Sequence, residues 1–570
     1  MITLRNLTFS YRKQSRPALL NVNATIGPGI HLLVGENGAG KTTLLLIMAG
    51  ILHPSEGECL VDRHPAASTV PAQMGHIFFL EENAAFPAKT ILDFASADSG
   101  FYPSFSMERF LANLAEFGLT GNEHLRKQSL GNRKKAQLAY VLALGVDTLL
   151  LDEPTNGLDI QSKATLRRLI ASQITEEQTL IVSTHTISEL DNLFEGVIAI
   201  RNGSLMLAAT ADTILDHIAF IEERTVDPAA LYYEITPGSY RQIIVSDGED
   251  SRIDWEMLYR SLYSPARDRI IDTIMQQDEA VAEAVPEENG GCDSAETACS
   301  TLYGPCATPR FSWRRTLDFA GFYGSLVRKQ LLVYGAISLI LSAFILLPIN
   351  QIVLTTVYSA ISSLLSILVG CAPLILANRG DDPVLERQVP VRPAEKMTFF
   401  SIYFLIAIPL VVNIFPALAL LLKNFMIADN DSIFVRVTRT TYDFRTCSPY
   451  LSLLQPMVVA MVVLYVVKSC RSNRVVKGVG AMIATYFFFS IVGAIYGFFK
   501  SLTDSNFGRI IAKTQTVTGP AQARAELEDA LAFSSELVSS PFMVIFCISL
   551  VAIIAALIFL TYRQLAHKNI

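Results

Sequence analysis

The hydrophobic residues of the chain follow two patterns that change near residue 330. Residues 1–330 form an ordinary soluble mixture of strand-like runs, helices and charged loops. From Leu331 to Tyr562, long uncharged runs dominate. Because a bilayer accepts apolar helices and a soluble domain needs polar surface, the pattern predicts a soluble half followed by a membrane half.

The membrane half contains six candidate spans, since a spanning helix needs about 20 predominantly apolar residues. They cover residues 331–349, 353–377, 398–422, 449–467, 478–499 and 541–562. None has a charged residue at its centre, where one would cost about 2.5–3.5 kcal/mol. The alternative, a buried soluble bundle, is disfavoured by six such runs. The sequence therefore predicts an all-α six-helix transmembrane domain over 331–570.

Three shorter segments precede the first span. Residues 216–275 combine strand patterns with an amphipathic helix from Trp255 to Ile274, which predicts a small α+β accessory extension. Residues 276–308 are acidic and poor in bulky apolar residues, as in a flexible linker. Residues 309–330 mix aromatic and basic side chains, as an interfacial helix does.

Composition agrees with this division and limits the partners. Hydrophobic residues make up 51% of the chain and charged residues 17%. The net charge of −7 provides no basic field for a phosphate backbone, so we expect no nucleic acid partner. Cys292, Cys299 and Cys306 are regularly spaced but lack close pairing and neighbouring histidines, which favours structural or incidental cysteines over a metal site.

The first chemical motif follows the buried-strand pattern Ile30 to Val34. It consists of Gly35, Glu36, Asn37, Gly38, Ala39, Gly40, Lys41, Thr42 and Thr43, and an apolar helix comes next. This is a P-loop in its strand–loop–helix context, which predicts that backbone N–H groups bind the phosphates of a nucleotide. Lys41 should reach the β- and γ-phosphates, and Thr42 should bind Mg²⁺.

A second motif places paired acids after an apolar strand that begins at Thr148. Asp152 and Glu153 would lie at the carboxyl edge of a parallel sheet, where ligands bind. We predict that Asp152 holds Mg²⁺ and that Glu153 orients or deprotonates the attacking water.

With these motifs, residues 1–215 resemble the ABC ATPase family, an α/β P-loop NTPase fold. The resemblance implies a D-loop ending at Asp159, a catalytic switch histidine at His185, and an adenine-stacking aromatic at Tyr11. Tyr11 could also be a plain strand residue, since it alternates with Phe9. Both ATP and Mg²⁺ are the implied cofactors.

Two family elements are altered. The signature motif is Gln128-Ser129-Leu130-Gly131-Asn132, in which Ser129 and Gly131 remain to contact the γ-phosphate of an opposite cassette. The glutamine expected after the strand His76 to Leu80 is replaced by acids, and Glu81 is the predicted metal-binding counterpart.

The whole chain resembles an ABC half-transporter with a type-2 exporter permease, in which residues 386–396 are similar to the cytoplasmic coupling segment. The segment 309–330 would then be an anchor, a transmitter of ATPase motion, or both. The resemblance implies export of a hydrophobic or amphipathic substrate by a homodimer or heterodimer, with ATP hydrolysed at head-to-tail interfaces. An ATP-driven regulator that transports nothing is the alternative. We expect a bacterial inner (cytoplasmic) membrane, with the cassette and both termini cytoplasmic.

Overall fold

The computed structural model describes the chain as two compact units. The described residues are 1–11, 16–68, 70–86, 88–246, 251–275, 311–347, 361, 363–374, 388–426, 448–469, 474–503 and 541–566. Residues 1–312 form the first unit together with the segment Asp382–Arg392, and most of the rest forms the second. The three cysteines at 292, 299 and 306 and the predicted linker lie outside the described residues.

A six-stranded sheet, in the order β10-β9-β3-β8-β7-β6, forms the centre of the first unit. Its strands are β3 (Gly29–Val34), β6 (Ile77–Leu80), β7 (Thr148–Asp152), β8 (Thr179–Ser183), β9 (Gly196–Arg201) and β10 (Ser204–Thr210). All pairs are parallel except β9 with β10. Strands β3, β7 and β8 are buried at every residue, which explains their predominantly apolar sequences. The predicted α/β fold is confirmed.

A second sheet has the antiparallel order β2-β1-β4-β5. It contains β1 (Ile2–Phe9), β2 (Leu19–Ile26), β4 (Glu56–Val61) and β5 (His64–Pro65). Alternate residues of β1, including Ile2 and Leu4, join a buried core with the helix that follows the P-loop. This packing fixes the start of that helix against both sheets.

The helices of this part are α1 (Lys41–Met48), α2 (Pro71–Met74), α3 (Ile91–Asp98), α4 (Met107–Glu116), α5 (Leu130–Leu142), α6 (Ile160–Gln173) and α7 (Ala211–His217). Several begin at side-chain caps that satisfy otherwise unpaired N–H groups. Thr90 and Asp93 form a capping box at α3, and Ser106 caps α4.

The segment after α7 forms a three-stranded antiparallel sheet, β11-β13-β12, followed by two helices. The strands are β11 (Ile218–Glu223), β12 (Tyr232–Thr236) and β13 (Ser239–Val245), and the helices are α8 (Trp255–Ser261) and α9 (Arg267–Met275). The single helix predicted from Trp255 to Ile274 was therefore wrong. Pro265 lies in the gap between the two helices, where it lacks an N–H donor and disfavours a helical residue before it.

Residues 388–392 belong to the first unit although they are distant in sequence. The Gln388 amide nitrogen donates to the Phe79 carbonyl oxygen at 2.9 Å, and the Phe79 N–H donates to the Gln388 amide oxygen at 2.8 Å. Since β6 is an edge strand and residues alternate in direction along it, Phe79 turns its peptide groups away from β7. Gln388 thus replaces a neighbouring strand at this position.

The second unit is built from helices. They are α10 (Trp313–Phe322), α11 (Gly324–Ala343), α12 (Ser363–Leu374), α13 (Pro393–Ile402), α14 (Ile408–Met426), α15 (Ser448–Ser469), α16 (Arg474–Thr503) and α17 (Pro541–Ala566). A π-helical turn, Tyr403–Ala407, joins α13 to α14.

Four helical stretches of this unit are long and apolar enough to cross a membrane: Val327–Leu346, Pro393–Ala419, Val475–Val492 and Val544–Leu565. Ser363–Leu374 and Leu454–Ser469 are shorter apolar helices within the second and fourth predicted spans. Much of the second predicted span lies outside the described residues. Four membrane-capable helices are therefore present in the described part, and the full count of six stays a prediction.

The segment 386–396 is not a loop throughout, because α13 begins inside it. Glu395, with 0% of its side chain exposed, accepts hydrogen bonds from Arg315 on α10, the shortest being 2.7 Å. Lys396 lies 5.6 Å from the ring centroid of Phe319. Both of these charged side chains therefore have partners within the second unit.

Candidate nucleotide-binding site

A cleft of about 1170 Å³ opens at the carboxyl edge of the central sheet. The P-loop follows β3, Asp152 ends β7, and His185 follows β8, and these three strands are parallel neighbours. Their side chains therefore meet at one edge. The cleft is lined by Tyr11, Arg16, Pro17, Ala18, Leu20, Asn37, Gly38, Gly40, Lys41, Thr42, Thr43, Glu82, Asp152, Glu153, Asn156, His185, Asn202 and Gly203.

The P-loop winds tightly before it enters α1. Gly40 has a φ of +109°, and a Cβ there would lie 2.7 Å from the Ala18 carbonyl oxygen, so a side chain is excluded. Lys41 donates from Nζ to the Gly35 carbonyl oxygen at 2.7 Å, across the loop. The loop thus combines backbone donors, a helix N-terminus and a lysine, the components of a phosphate site.

Thr42 and Asp152 face each other beside the P-loop. The Thr42 hydroxyl donates to Asp152 Oδ2 at 2.8 Å, and the Ser183 hydroxyl donates to the other carboxylate oxygen. These are hard oxygen ligands, which suit Mg²⁺ bound with few protein groups beside a nucleotide phosphate. Within the described residues, no group of three or more His, Cys, Asp or Glu side chains could hold a metal by itself.

Glu153 adopts an uncommon backbone conformation, with a φ of +46°. Its N–H donates to both the carbonyl and the hydroxyl oxygen of Ser183, each at 3.1 Å. Its carboxylate oxygen Oε2 lies 2.8 Å from Nδ1 of His185. The two predicted catalytic residues are therefore held together at the cleft, with the strained backbone fixed by the neighbouring strand.

Tyr11 lies at the cleft wall after β1. Its hydroxyl is 3.1 Å from the Thr43 hydroxyl, and its ring packs edge-on against Phe9 with centroids 4.9 Å apart. The residue is thus attached to the P-loop helix, and it lines the cleft, as an adenine-stacking ring would have to.

Glu82 lines the cleft, whereas Glu81, the predicted metal ligand, is not among the described residues that line it. The Glu82 carboxylate accepts from Asn156 Nδ2 at 2.7 Å, and its carbonyl accepts from Lys134 Nζ at 2.9 Å. Lys134 is 2% exposed, and burial lowers its pKa to about 8. The sequence showed an adjacent acid pair, and only the tertiary contacts distinguish its members.

Ser129, Gly131 and Asp159 lie apart from this cleft within the described chain. Ser129 caps α5 by accepting from the Asn132 N–H at 3.2 Å. Asp159 caps α6 and lies 2.8 Å from Lys135 Nζ, which holds the pKa of its carboxyl well below the usual range. A Cβ on Gly131 would lie 2.7 Å from the Gly157 carbonyl oxygen, so this glycine allows the two loops to meet.

Comparison with known proteins also supports a nucleotide-binding site in this part of the chain. The ABC transporter family profile matches residues 19–156. The ABC transporter ATP-binding protein NatA of Bacillus subtilis is 31% identical over 228 residues, which cover 92% of that protein and 38% of this chain. The chain belongs to the ABC transporter family. Its N-terminal unit accordingly contains an ATP-binding and ATP-hydrolysing cassette, and its apolar helices make it a membrane protein.

Other ABC proteins match a similar share of this chain. The energy-coupling factor transporter ATP-binding protein EcfA of Methanothermobacter thermautotrophicus is 29% identical, covering 71% of that protein and 37% of this chain. The glutathione/L-cysteine transport system ATP-binding/permease protein CydC of Haemophilus influenzae is 30% identical, covering 38% of that protein and 36% of this chain. A solved dimeric structure of the bacterial cassette MJ0796 is 25% identical, with a TM-score of 0.33 and coverage of 98% of that chain and 37% of this one.

Proposed function

We propose that this ABC protein is a half-transporter that uses ATP hydrolysis to export a hydrophobic or amphipathic substrate. The observation that carries the proposal is that one chain holds a nucleotide cleft with its candidate catalytic groups and, among its described residues, four membrane-capable helices. The span layout and the resemblance to type-2 exporter permeases favour export. We place the protein in a bacterial cytoplasmic membrane, with the cassette and both termini inside.

ATP binds with its phosphates against the P-loop amides and Lys41, and with its adenine on Tyr11. Thr42 and Asp152 would hold Mg²⁺, which would neutralise phosphate charge when bound. Glu153 orients the attacking water and takes its proton, and His185 fixes the Glu153 carboxylate, as their 2.8 Å contact supports. We assign the metal-binding carboxylate, the counterpart of the missing glutamine, to Glu82 in place of Glu81, because Glu82 lines the cleft.

The working unit is a dimer of cassettes, a homodimer or a pair with another half-transporter. Support comes from the signature segment, since Ser129 and Gly131 do not line the cleft formed by their own chain in its described part. A second cassette would supply them, in the head-to-tail arrangement of the family, with Asp159 at the interface.

Mixing two defective variants tests the homodimer. Lys41→Ala removes the phosphate lysine, and Ser129→Arg blocks the signature. In a head-to-tail pair, both defects share one site and the other site stays intact, so ATPase activity should return on mixing. With crosslinking to show that mixed pairs assemble, no recovery would refute the arrangement.

The segment from Gln388 onward connects the cassette to the membrane helices. Gln388 is hydrogen-bonded to β6, and five residues later the chain enters α13 at Pro393, the start of a membrane-capable stretch. Strand β6 leads directly to Glu82 at the cleft. We propose that this path, made of the two Gln388–Phe79 hydrogen bonds and the chain on either side of them, couples the nucleotide site to the membrane domain.

Flux in sealed vesicles tests the transport function. Proteoliposomes with outward-facing cassettes should accumulate a lipid-like or amphipathic fluorescent substrate when Mg²⁺ and ATP are added, and Glu153→Gln vesicles should not. ATP hydrolysis without flux across a panel of such substrates would contradict the transporter proposal and favour an ATP-driven regulator.

A further inference from the structure

The accessory extension contacts the P-loop through Tyr263, in the gap between α8 and α9. The Tyr263 hydroxyl accepts a hydrogen bond from the Glu36 N–H at 3.3 Å and donates to the Ile200 carbonyl oxygen at 3.5 Å. A phenol can do both, because it has one proton and free lone pairs. We propose that Tyr263 is a positioning residue that holds the P-loop for ATP, so that the extension is part of the nucleotide site.

A second contact links Tyr263 indirectly to the middle of the same loop. The guanidinium carbon of Arg201 lies 4.9 Å from the Tyr263 ring centroid, a cation–π geometry. Arg201 ends β9 and leads into the turn at Asn202 and Gly203. The Gly203 N–H donates to the Ala39 carbonyl oxygen of the P-loop at 3.0 Å. Tyr263 therefore supports the loop directly at Glu36, near its start, and indirectly at Ala39, in its middle.

This support bears on ATP affinity because the P-loop binds through backbone N–H groups, whose directions depend on the path of the loop. Asn202 and Gly203 also line the cleft, so a shift of the turn changes the cleft wall. The catalytic pair Glu153 and His185 instead follows β7 and β8, which end at another part of the cleft wall. The tyrosine should consequently affect binding more than the chemical step.

The test removes one hydroxyl and keeps the ring. Tyr263→Phe retains the aromatic face for Arg201 but loses the acceptor for the Glu36 N–H and the longer bond to the Ile200 carbonyl oxygen. Tyr232→Phe is the matched control, because its hydroxyl donates to Glu234 at 3.0 Å within the same extension. Both variants are measured in the full chain, by ATPase kinetics and by binding of a fluorescent ATP analogue.

We expect Tyr263→Phe to raise the KM for ATP and the Kd of the analogue about five-fold, the effect of one net hydrogen bond. Its kcat should stay within about two-fold of wild type, because uniform binding is lost and not transition-state stabilisation. Tyr232→Phe should leave both constants unchanged. Arg201→Lys keeps the charge without the planar stacking, and should weaken binding in the same direction.

Two results would overturn the proposal. One is a wild-type KM and Kd in Tyr263→Phe. The other is a lower thermal stability together with a higher KM and a lower kcat, which would mean that the hydroxyl only stabilises the fold. The inference rests on ATP binding at the P-loop, and a wild-type chain that binds no ATP would refute the proposed function itself. Binding by wild type with no change in Tyr263→Phe would refute only the role of Tyr263.

Discussion

Replacing Gln388 by methionine should open the edge of the central sheet locally. The Gln388 side chain is 6% exposed. Its amide accepts a hydrogen bond from the Phe79 N–H and donates one to the Phe79 carbonyl oxygen. Methionine has a similar length and no amide, so the side chain still fills its space. The substitution therefore isolates the two hydrogen bonds from the packing around them.

The size of the effect follows from the partners that remain. Phe79 is fully buried, so its N–H and carbonyl would both be left without their hydrogen-bond partner. An orphaned buried polar group costs about 1–3 kcal/mol. The Phe79 amide is freed directly, so a loss of about 1–3 kcal/mol in local opening free energy should speed its hydrogen exchange about 5- to 150-fold.

Hydrogen exchange followed by mass spectrometry on a peptide spanning residues 76–82 measures this change, with the β3 peptide as the internal reference. Gln388→Glu is the matched variant. Its ionised carboxylate accepts from the Phe79 N–H but repels the carbonyl, whereas the protonated acid donates to that carbonyl. Protection in Gln388→Glu, relative to wild type at the same pH, should therefore recover at acidic pH. Unchanged exchange in Gln388→Met, or equal acceleration in β3, would refute the reasoning.

Three further predictions concern charge in the cassette. Glu153→Gln should retain ATP binding and reduce hydrolysis about 10²–10⁴-fold, so near-normal turnover would remove Glu153 from the role of general base. Glu82→Ala should raise the Mg²⁺ concentration needed for half-maximal ATPase activity more than Glu81→Ala does, and the reverse order would restore Glu81 as the ligand. Burial raises the pKa of Asp98 from 3.8 to about 7. Because this folded-state pKa is raised, its stabilising contribution is complete below about pH 4 and is lost as the pH rises through about 7. The free energy of unfolding of Asp98→Asn, relative to that of wild type, should therefore increase by roughly 2–4 kcal/mol between pH 5 and pH 8. A difference between the two proteins that stays constant with pH would contradict this.

The central sheet and the main chemical motifs could be predicted because each depends on local sequence. A P-loop needs a strand, glycines and a helix in direct succession, and residues 30–49 contain all three. The strands that deliver Asp152 and His185 are short, uninterrupted apolar runs, as strands buried on both faces must be. Motif order then placed their ends at one sheet edge.

The parts that could not be predicted depend on contacts between distant residues. Glu81 and Glu82 are equivalent in the sequence, and their difference arises from Asn156 and Lys134, which hold Glu82 from two other elements. Gln388 lies 309 residues from Phe79, and no local pattern marks it as a strand-edge cap. The break between α8 and α9 was different, since Pro265 gave a visible signal against one long helix.

Strand β6 links the contact with Gln388 to the nucleotide cleft. Gln388 holds Phe79, and Glu82 follows three residues later, where the chain has left the strand and entered the cleft. Phe79 pairs in register with Leu150 on β7, two residues before Asp152. A shift of Gln388 therefore cannot move β6 without straining its register against the strand that carries Asp152. We expect a displacement of Gln388 to act on the pairing of Phe79 with Leu150, and through β7 on the position of Asp152.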